Sequence, residues 1–258
     1  MIEYIATLPI LKDLYEKPRD LTRFRQYLAE MLGENEDGEL DVVVPITSAN
    51  PMGREHCLDA VNKLLAVDAD GVAWRALEEA AGELEMNASS ARATVILLDD
   101  VAGGWTNRYT TEANWRMRRD LQAERANRKR QYIQIVCWAS EAYTVERIHE
   151  EARAALYRHL WIEQNGPPET LQQVMELDGG AYAFAGRQPT LPDDELDYTR
   201  EVMQPHLDNV DFPIQFAFLF GDEAAQSIGY EPQGVSAYAG FEVALYLALF
   251  ENERFGKT

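Results

Sequence analysis

Ala93–Trp115, ATVILLDDVAGGWTNRYTTEANW, is an apolar run that passes straight into two acids, two glycines and a polar-aromatic cluster. Thr94–Leu98 is short, apolar and rich in β-branched residues, and Asp99-Asp100 closes it, the pattern of a strand buried on both faces. Gly103 and Gly104 would let another backbone or a ligand come close. Trp105–Thr111 then alternates with period two: Trp105, Asn107, Tyr109 and Thr111 fall on one side, Thr106, Arg108 and Thr110 on the other. Two readings follow, an antiparallel hairpin over 94–111 or a strand followed by an ordered loop.

Three further stretches have strand character. Asp41–Thr47 is apolar but carries Pro45, which cannot donate to a ladder and marks an edge or an end. Gln131–Ala139 contains Cys137, and Pro213–Phe220 is apolar throughout. Between them the spacing predicts helices: two within residues 2–33 separated at Lys17-Pro18, one from Asn50-Pro51 to Leu65 with Asn50 as N-cap, and one over Gly71–Leu84. Others follow over Thr144–Gln164, Glu169–Leu177, from Thr190 to Pro205, from Gly221 to Gly229, and over 234–250. Asp178–Gly186, rich in small residues, is expected to be tightly packed or to loop over a site.

Strands alternating with helices predict an α/β fold, with a mixed or mostly parallel central sheet of about four or more strands flanked by helices. The alternative is α+β with the antiparallel hairpin at 94–111. The expected organisation is a single globular domain, 1–258, with 1–36 an N-terminal helical element packed on it.

Composition narrows the function classes. A net charge of −20 argues against duplex nucleic acid or an anionic membrane as partner, since both demand a positive footprint. The densest basic segment, Arg116–Arg130, reads as a solvated helix face. The N-terminal MIEYIATLPILKD lacks a basic region before its apolar residues, so it does not read as a leader peptide. With two cysteines, Cys57 and Cys137, expected buried and unbridged, the chain is expected to be cytoplasmic.

No cofactor motif is present, and no metal-ligand set is assigned. His149-Glu150 with His159 lacks the middle histidine and the glycine of the long zinc-protease motif, and on one helix these histidines lie about 15 Å apart. His56 and Cys57 are adjacent, which on a helix points them about 100° apart; the reading makes His56 surface and Cys57 core, with no contact as base and nucleophile.

In open α/β sheets ligands bind outside the carboxyl ends of strands. The candidate catalytic residues are therefore Asp99, Asp100, Glu141 and Asp222, and the candidate ligand-binding residues Asn50, Trp105, Asn107 and Arg108, gathered around one pocket. The function expected is acid–base or metal-assisted hydrolysis on a small polar or anionic metabolite, with Arg108 clamping the anion. The competing expectation is a non-catalytic ligand-binding or interaction protein, with homo-oligomerisation through the C-terminal helix 234–250.

Overall fold

The computed structural model describes residues 2–34, 40–85, 91–101, 105–117 and 132–250. The chain divides into two compact units, Met1–Arg108 with Arg125–Leu156, and Tyr109–Glu124 with Tyr157–Thr258.

The first unit is built on a three-stranded parallel sheet in the order β1-β4-β5, with β1 at Ile2–Tyr4, β4 at Ala91–Leu98 and β5 at Tyr132–Trp138. β4 is the middle strand, pairing Ile2 with Ala91 on one side and Arg92–Leu98 with Tyr132–Trp138 on the other. That position explains its unbroken apolar run. Helices α1 (Leu8–Tyr15), α3 (Glu55–Ala66) and α4 (Ala69–Glu83) pack against it. A separate antiparallel pair joins β2 (Leu32–Glu34) to β3 (Leu40–Val42) after helix α2 (Leu21–Met31).

Several expectations need correction. Among the described residues the parallel sheet has three strands rather than four or more, and the Asp41–Thr47 candidate contributes only β3, outside that sheet. The β1 strand lies where helix was expected, because three residues are too short for either period to register. Arg108–Arg116 is helix α5, which removes the 94–111 hairpin. Gly103 and Gly104 lie outside the described residues. Helix α3 starts at Glu55 rather than at Pro51; Asn50 instead closes a turn, its Oδ1 accepting from Met52 N at 2.9 Å.

In the second unit, Pro213–Phe220 belongs to helix α9 (Phe212–Phe220), not to a strand. A fully buried helix is apolar on every side, so its sequence carries no 3.6-residue contrast. The i,i+4 pair Phe216–Phe220 stacks at 4.5 Å, a contact that only the helix creates. Here α6 (Val145–Asn165) ends, followed by α7 (Leu171–Ala185), α8 (Asp193–Met203), α9, α10 (Asp222–Ser227) and α11 (Ala239–Phe250). The small residues of 178–186 continue α7 to its end: a Cβ on Gly179 would collide with the Ala244 backbone of α11, so its absence lets the two helices touch. Gly240 likewise faces the Phe218 carbonyl, so these small residues of the C-terminal helix serve intrachain packing.

The core of this unit encloses charge. Arg116 is 7% exposed, not solvated as the basic segment suggested; it pairs with Glu112 and Asp178 and lies 3.4 Å from the Phe241 ring centre. Arg158, fully buried, donates to Asp178 Oδ1 at 2.8 Å and stacks on Tyr182 at 4.6 Å. The rest of the basic segment, 118–130, lies outside the described residues.

Asp178 loses hydration on burial, but the two guanidiniums outweigh that loss and hold its carboxyl below the usual range. Asp178→Asn should lower the unfolding free energy by about 3–5 kcal/mol in urea denaturation at pH 7, because it leaves two buried cations facing a neutral amide. A depressed folded pKa gives stability above the unfolded value near ~3.9 that disappears as pH falls through the folded value, so the variant should also unfold less steeply in acid.

Asp70 behaves oppositely. It accepts from Tyr4 OH at 2.7 Å, yet burial raises its pKa to about 6. The raised value favours the fold below the unfolded pKa, and that contribution is lost as pH rises through about 6. Asp70→Asn is therefore expected to raise the melting temperature at pH 7 by a few degrees and to leave it unchanged at pH 4.

Candidate functional site

The carboxyl ends of β4 and β5 lie side by side, since the two strands run parallel, with Leu98 opposite Trp138. Beyond Leu98 the chain presents Asp99 and Asp100, and consecutive residues leaving a strand face opposite ways. Two polar networks result.

Asp99 is 3% exposed. Asn50 Nδ2 donates to its Oδ2 at 2.7 Å, and Val101 N donates to its Oδ1 at 3.2 Å. His56 Nε2 lies 2.8 Å from Oδ1. Burial works against the carboxylate charge, but the bonds from Asn50 and His56 outweigh it and hold Asp99 below the ordinary carboxylate range. Cys57 Sγ sits 3.3 Å from the same His56 Nε2, and one donor atom from each of His56, Cys57 and Asp99 falls within 4.8 Å of the others. Burial, and then the neighbouring Asp99 carboxylate, push the Cys57 thiol up to about 12. His56 opens the cluster to solvent, its side chain 25% exposed against 2% for Asp99.

The seat of Cys57 depends on a glycine. A Cβ at Gly53 would stand 2.7 Å from Cys57 Sγ and 3.0 Å from the Tyr15 ring. The same Gly53 offers its carbonyl to Arg23 Nη1 at 2.9 Å, while Arg23 Nε and Nη2 donate to the carbonyls of Leu14 and Tyr15.

Asp100 faces the exit of β5. Ser140 N and Oγ donate to it at 3.0 and 2.6 Å, and Arg108 Nη1 reaches its Oδ2 at 3.2 Å. Arg108 Nη2 also pairs with Glu141, whose other oxygen takes Arg147, and the Arg108 guanidinium lies over Trp138 at 5.0 Å. Among the described residues this network holds two cations and two carboxylates. Arg108 is thus committed to internal acids, which corrects the expectation that its donors face an open cavity to clamp an anion.

Five of the eight candidate residues therefore gather at the β4 and β5 ends: Asn50, Asp99, Asp100, Arg108 and Glu141. They form two separate sets of contacts, Asn50 with Asp99 and Arg108 with Asp100 and Glu141. The cavity beside Leu97, Trp138, Glu141 and Tyr143 measures only about 10 Å³. Trp105 is half exposed, and Asn107 is exposed as well. Asp222 belongs to the second unit, where its Oδ1 accepts from the backbone N–H groups of Gln233, Gly234 and Val235. It is a loop clamp there.

Sequence reasoning missed His56 and passed over its contact with Cys57. The 100° separation of adjacent helical residues holds for Cα–Cβ directions, but an imidazole is long enough to turn back toward its neighbour in the first turn of α3. Asp99, forty-three positions away in sequence, supplies the common target. His149 and His159 have different partners, Glu79 and Glu163. Cys57 and Cys137 are both buried and free, as expected.

The second unit holds a larger cavity, of about 240 Å³, lined chiefly by Tyr157, Trp161, Met175, Leu207, Ala244 and Leu247. Among the described residues no helix is long and apolar enough to cross a membrane.

Because Asp100 is 3% exposed at its side chain and leans on Arg108, Arg108→Ala should lower stability by about 1–3 kcal/mol in thermal or urea unfolding. Arg108→Lys should recover only part of this, since an ammonium cannot fork between Asp100 and Glu141.

Comparison of the chain with family models, with curated proteins and with solved structures finds no match.

Proposed function

We propose, from the residues alone, that the carboxyl end of the parallel sheet is a polar small-molecule site performing acid–base or metal-assisted hydrolytic chemistry. The observation that carries this reading is the buried, ionised Asp99 carboxylate held by Asn50 against a partly exposed imidazole. A carboxylate oriented by a neighbour fixes the ring it touches, and the imidazole can then act as a general acid or base. With Arg108 committed to Asp100 and Glu141, recognition of an anionic group falls to the His56 side of the site. The two buried free thiols suit a reducing compartment, so the proposed location is cytoplasmic. The proposed partners are small polar molecules, and the −20 charge disfavours duplex nucleic acid.

A second reading has one specific support. The apolar cavity of about 240 Å³ in the second unit is large enough for part of a small aromatic or aliphatic ligand, which would make the protein a non-catalytic binder. A homo-oligomeric contact through 234–250 would have to use the outward end of α11, because Ala239–Gly240-Phe241 and Val243–Ala244-Leu245 are buried within the unit.

One experiment separates these readings. Thermal shifts of the full chain are recorded against polar metabolites and apolar probes, with hydrolysis of ester, amide and phosphoester substrates followed in parallel. Site chemistry at the sheet predicts turnover that falls at least 100-fold in His56→Gln and in Asp99→Asn. Shifts with apolar probes alone, unchanged in those variants, would favour the second reading.

A further inference from the structure

We infer that His56 Nε2, Cys57 Sγ and an Asp99 carboxylate oxygen form a three-ligand site for a zinc-class transition-metal ion. This deepens the hydrolytic reading and rests on the same site, although its geometry stands independently of any substrate.

The first support is which atoms face each other. In a nucleophile relay the carboxylate and the thiol occupy opposite nitrogens of the histidine ring, so that a proton can pass through the ring. Here Asp99 Oδ1 and Cys57 Sγ both approach Nε2, at 2.8 and 3.3 Å. One ring nitrogen has a single in-plane hydrogen or lone pair, so it cannot serve both partners fully as a hydrogen bond. Three electron-pair donors converging on one locus is instead the arrangement of a ligand set. Zn–N near ~2.0 Å and Zn–S near ~2.3 Å at tetrahedral angles place neighbouring donor atoms roughly 3.3–3.6 Å apart. The two distances to Nε2 come within about half an ångström of that, and Sγ lies within 4.8 Å of the carboxylate oxygen.

The donor chemistry selects the ion. One imidazole, one sulfur and one carboxylate suit zinc or cobalt(II), whereas magnesium and calcium take oxygen ligands. A divalent ion with one thiolate and one carboxylate is formally neutral, which fits a site with Cys57 fully buried and Asp99 3% exposed. On binding, the metal–sulfur bond replaces the S–H bond and the thiol proton leaves to solvent, Asp99 is already ionised, and His56 coordinates through the Nε2 lone pair with its remaining proton on Nδ1. About one proton is released per ion.

The surroundings supply the support such a site needs. Asn50 Nδ2 holds Asp99 Oδ2, leaving Oδ1 directed at His56, the type of outer hydrogen bond that orients a ligating carboxylate. Gly53 leaves the space in which Cys57 Sγ sits. Three protein ligands leave a position open, the pattern of a catalytic rather than a structural zinc site.

The test uses the full chain after chelator treatment, titrated with cobalt(II). One ion per chain should bind with a sulfur-to-cobalt charge-transfer band. Zinc should displace it, magnesium and calcium should not, and calorimetry in buffers of differing ionisation enthalpy should report about one proton released. Cys57→Ser should remove the charge-transfer band, and Asn50→Ala should weaken binding about 10–100-fold. His149→Ala should change neither. Absence of a charge-transfer band in the parent protein overturns the site, and this holds whether or not any variant folds. A band that survives in Cys57→Ser overturns it too. Cobalt binding without turnover of any substrate sustains the metal site and removes the hydrolytic reading; turnover by protein whose cobalt titration gives no band does the reverse.

Discussion

A carboxylate taken out of water must be given donors, and the donors found for Asp99 organise this end of the first unit. Among them are the turn at Asn50, the first turn of α3 at His56, and the backbone just beyond β4 at Val101. Each is distant in sequence from at least one of the others, so satisfying one buried charge draws the segments together at the end of the middle strand. An unsatisfied carboxylate there would cost several kcal/mol, comparable to much of a domain's net stability. Asp100, one residue on, faces away and gathers Ser140, Arg108 and Glu141. The dipeptide at one strand exit thus fixes two networks of different composition, one compact and almost charge-balanced, the other open toward solvent through an imidazole.

The second unit handles buried charge by another route. Arg116 and Arg158 share Asp178, and aromatic faces of Tyr182, Phe241 and Trp115 cover the guanidiniums. Arginine tolerates this because its charge is delocalised and weakly hydrated compared with an ammonium. Among the described residues three buried arginines stand against four buried acids, so little of the chain's net charge of −20 comes from them.

Legibility followed the length and contrast of each pattern. Thr94–Leu98 and Tyr132–Trp138 were readable as strands because both carry β-branched or aromatic residues between polar bounds. The two are parallel neighbours, and Asn50, Asp99, Asp100, Arg108 and Glu141 lie at their carboxyl ends. Phe212–Phe220 was unreadable because uniform burial erases the difference between periods of 2 and 3.6. Ile2–Tyr4 was too short to announce itself. Arg116 misled because a run of basic residues looks solvated until its acidic partner, sixty-two positions away, is seen. His56 was lost for a similar reason: helical direction was judged from neighbouring positions, whereas the contact is set by a group on another element.

Arg23 carries a dynamic consequence. Its guanidinium ties the last carbonyls of α1, at Leu14 and Tyr15, to the carbonyl of Gly53, three acceptors drawn from two segments that share no ladder. A helix end normally frays by itself, its terminal amides exchanging with solvent independently of loops elsewhere. Here fraying of α1 must break the same fork that secures the turn leading to His56 and Cys57. Amide exchange at the end of α1 and in residues 50–57 should therefore belong to one cooperative opening, and the site would be exposed in a single event rather than by gradual loosening.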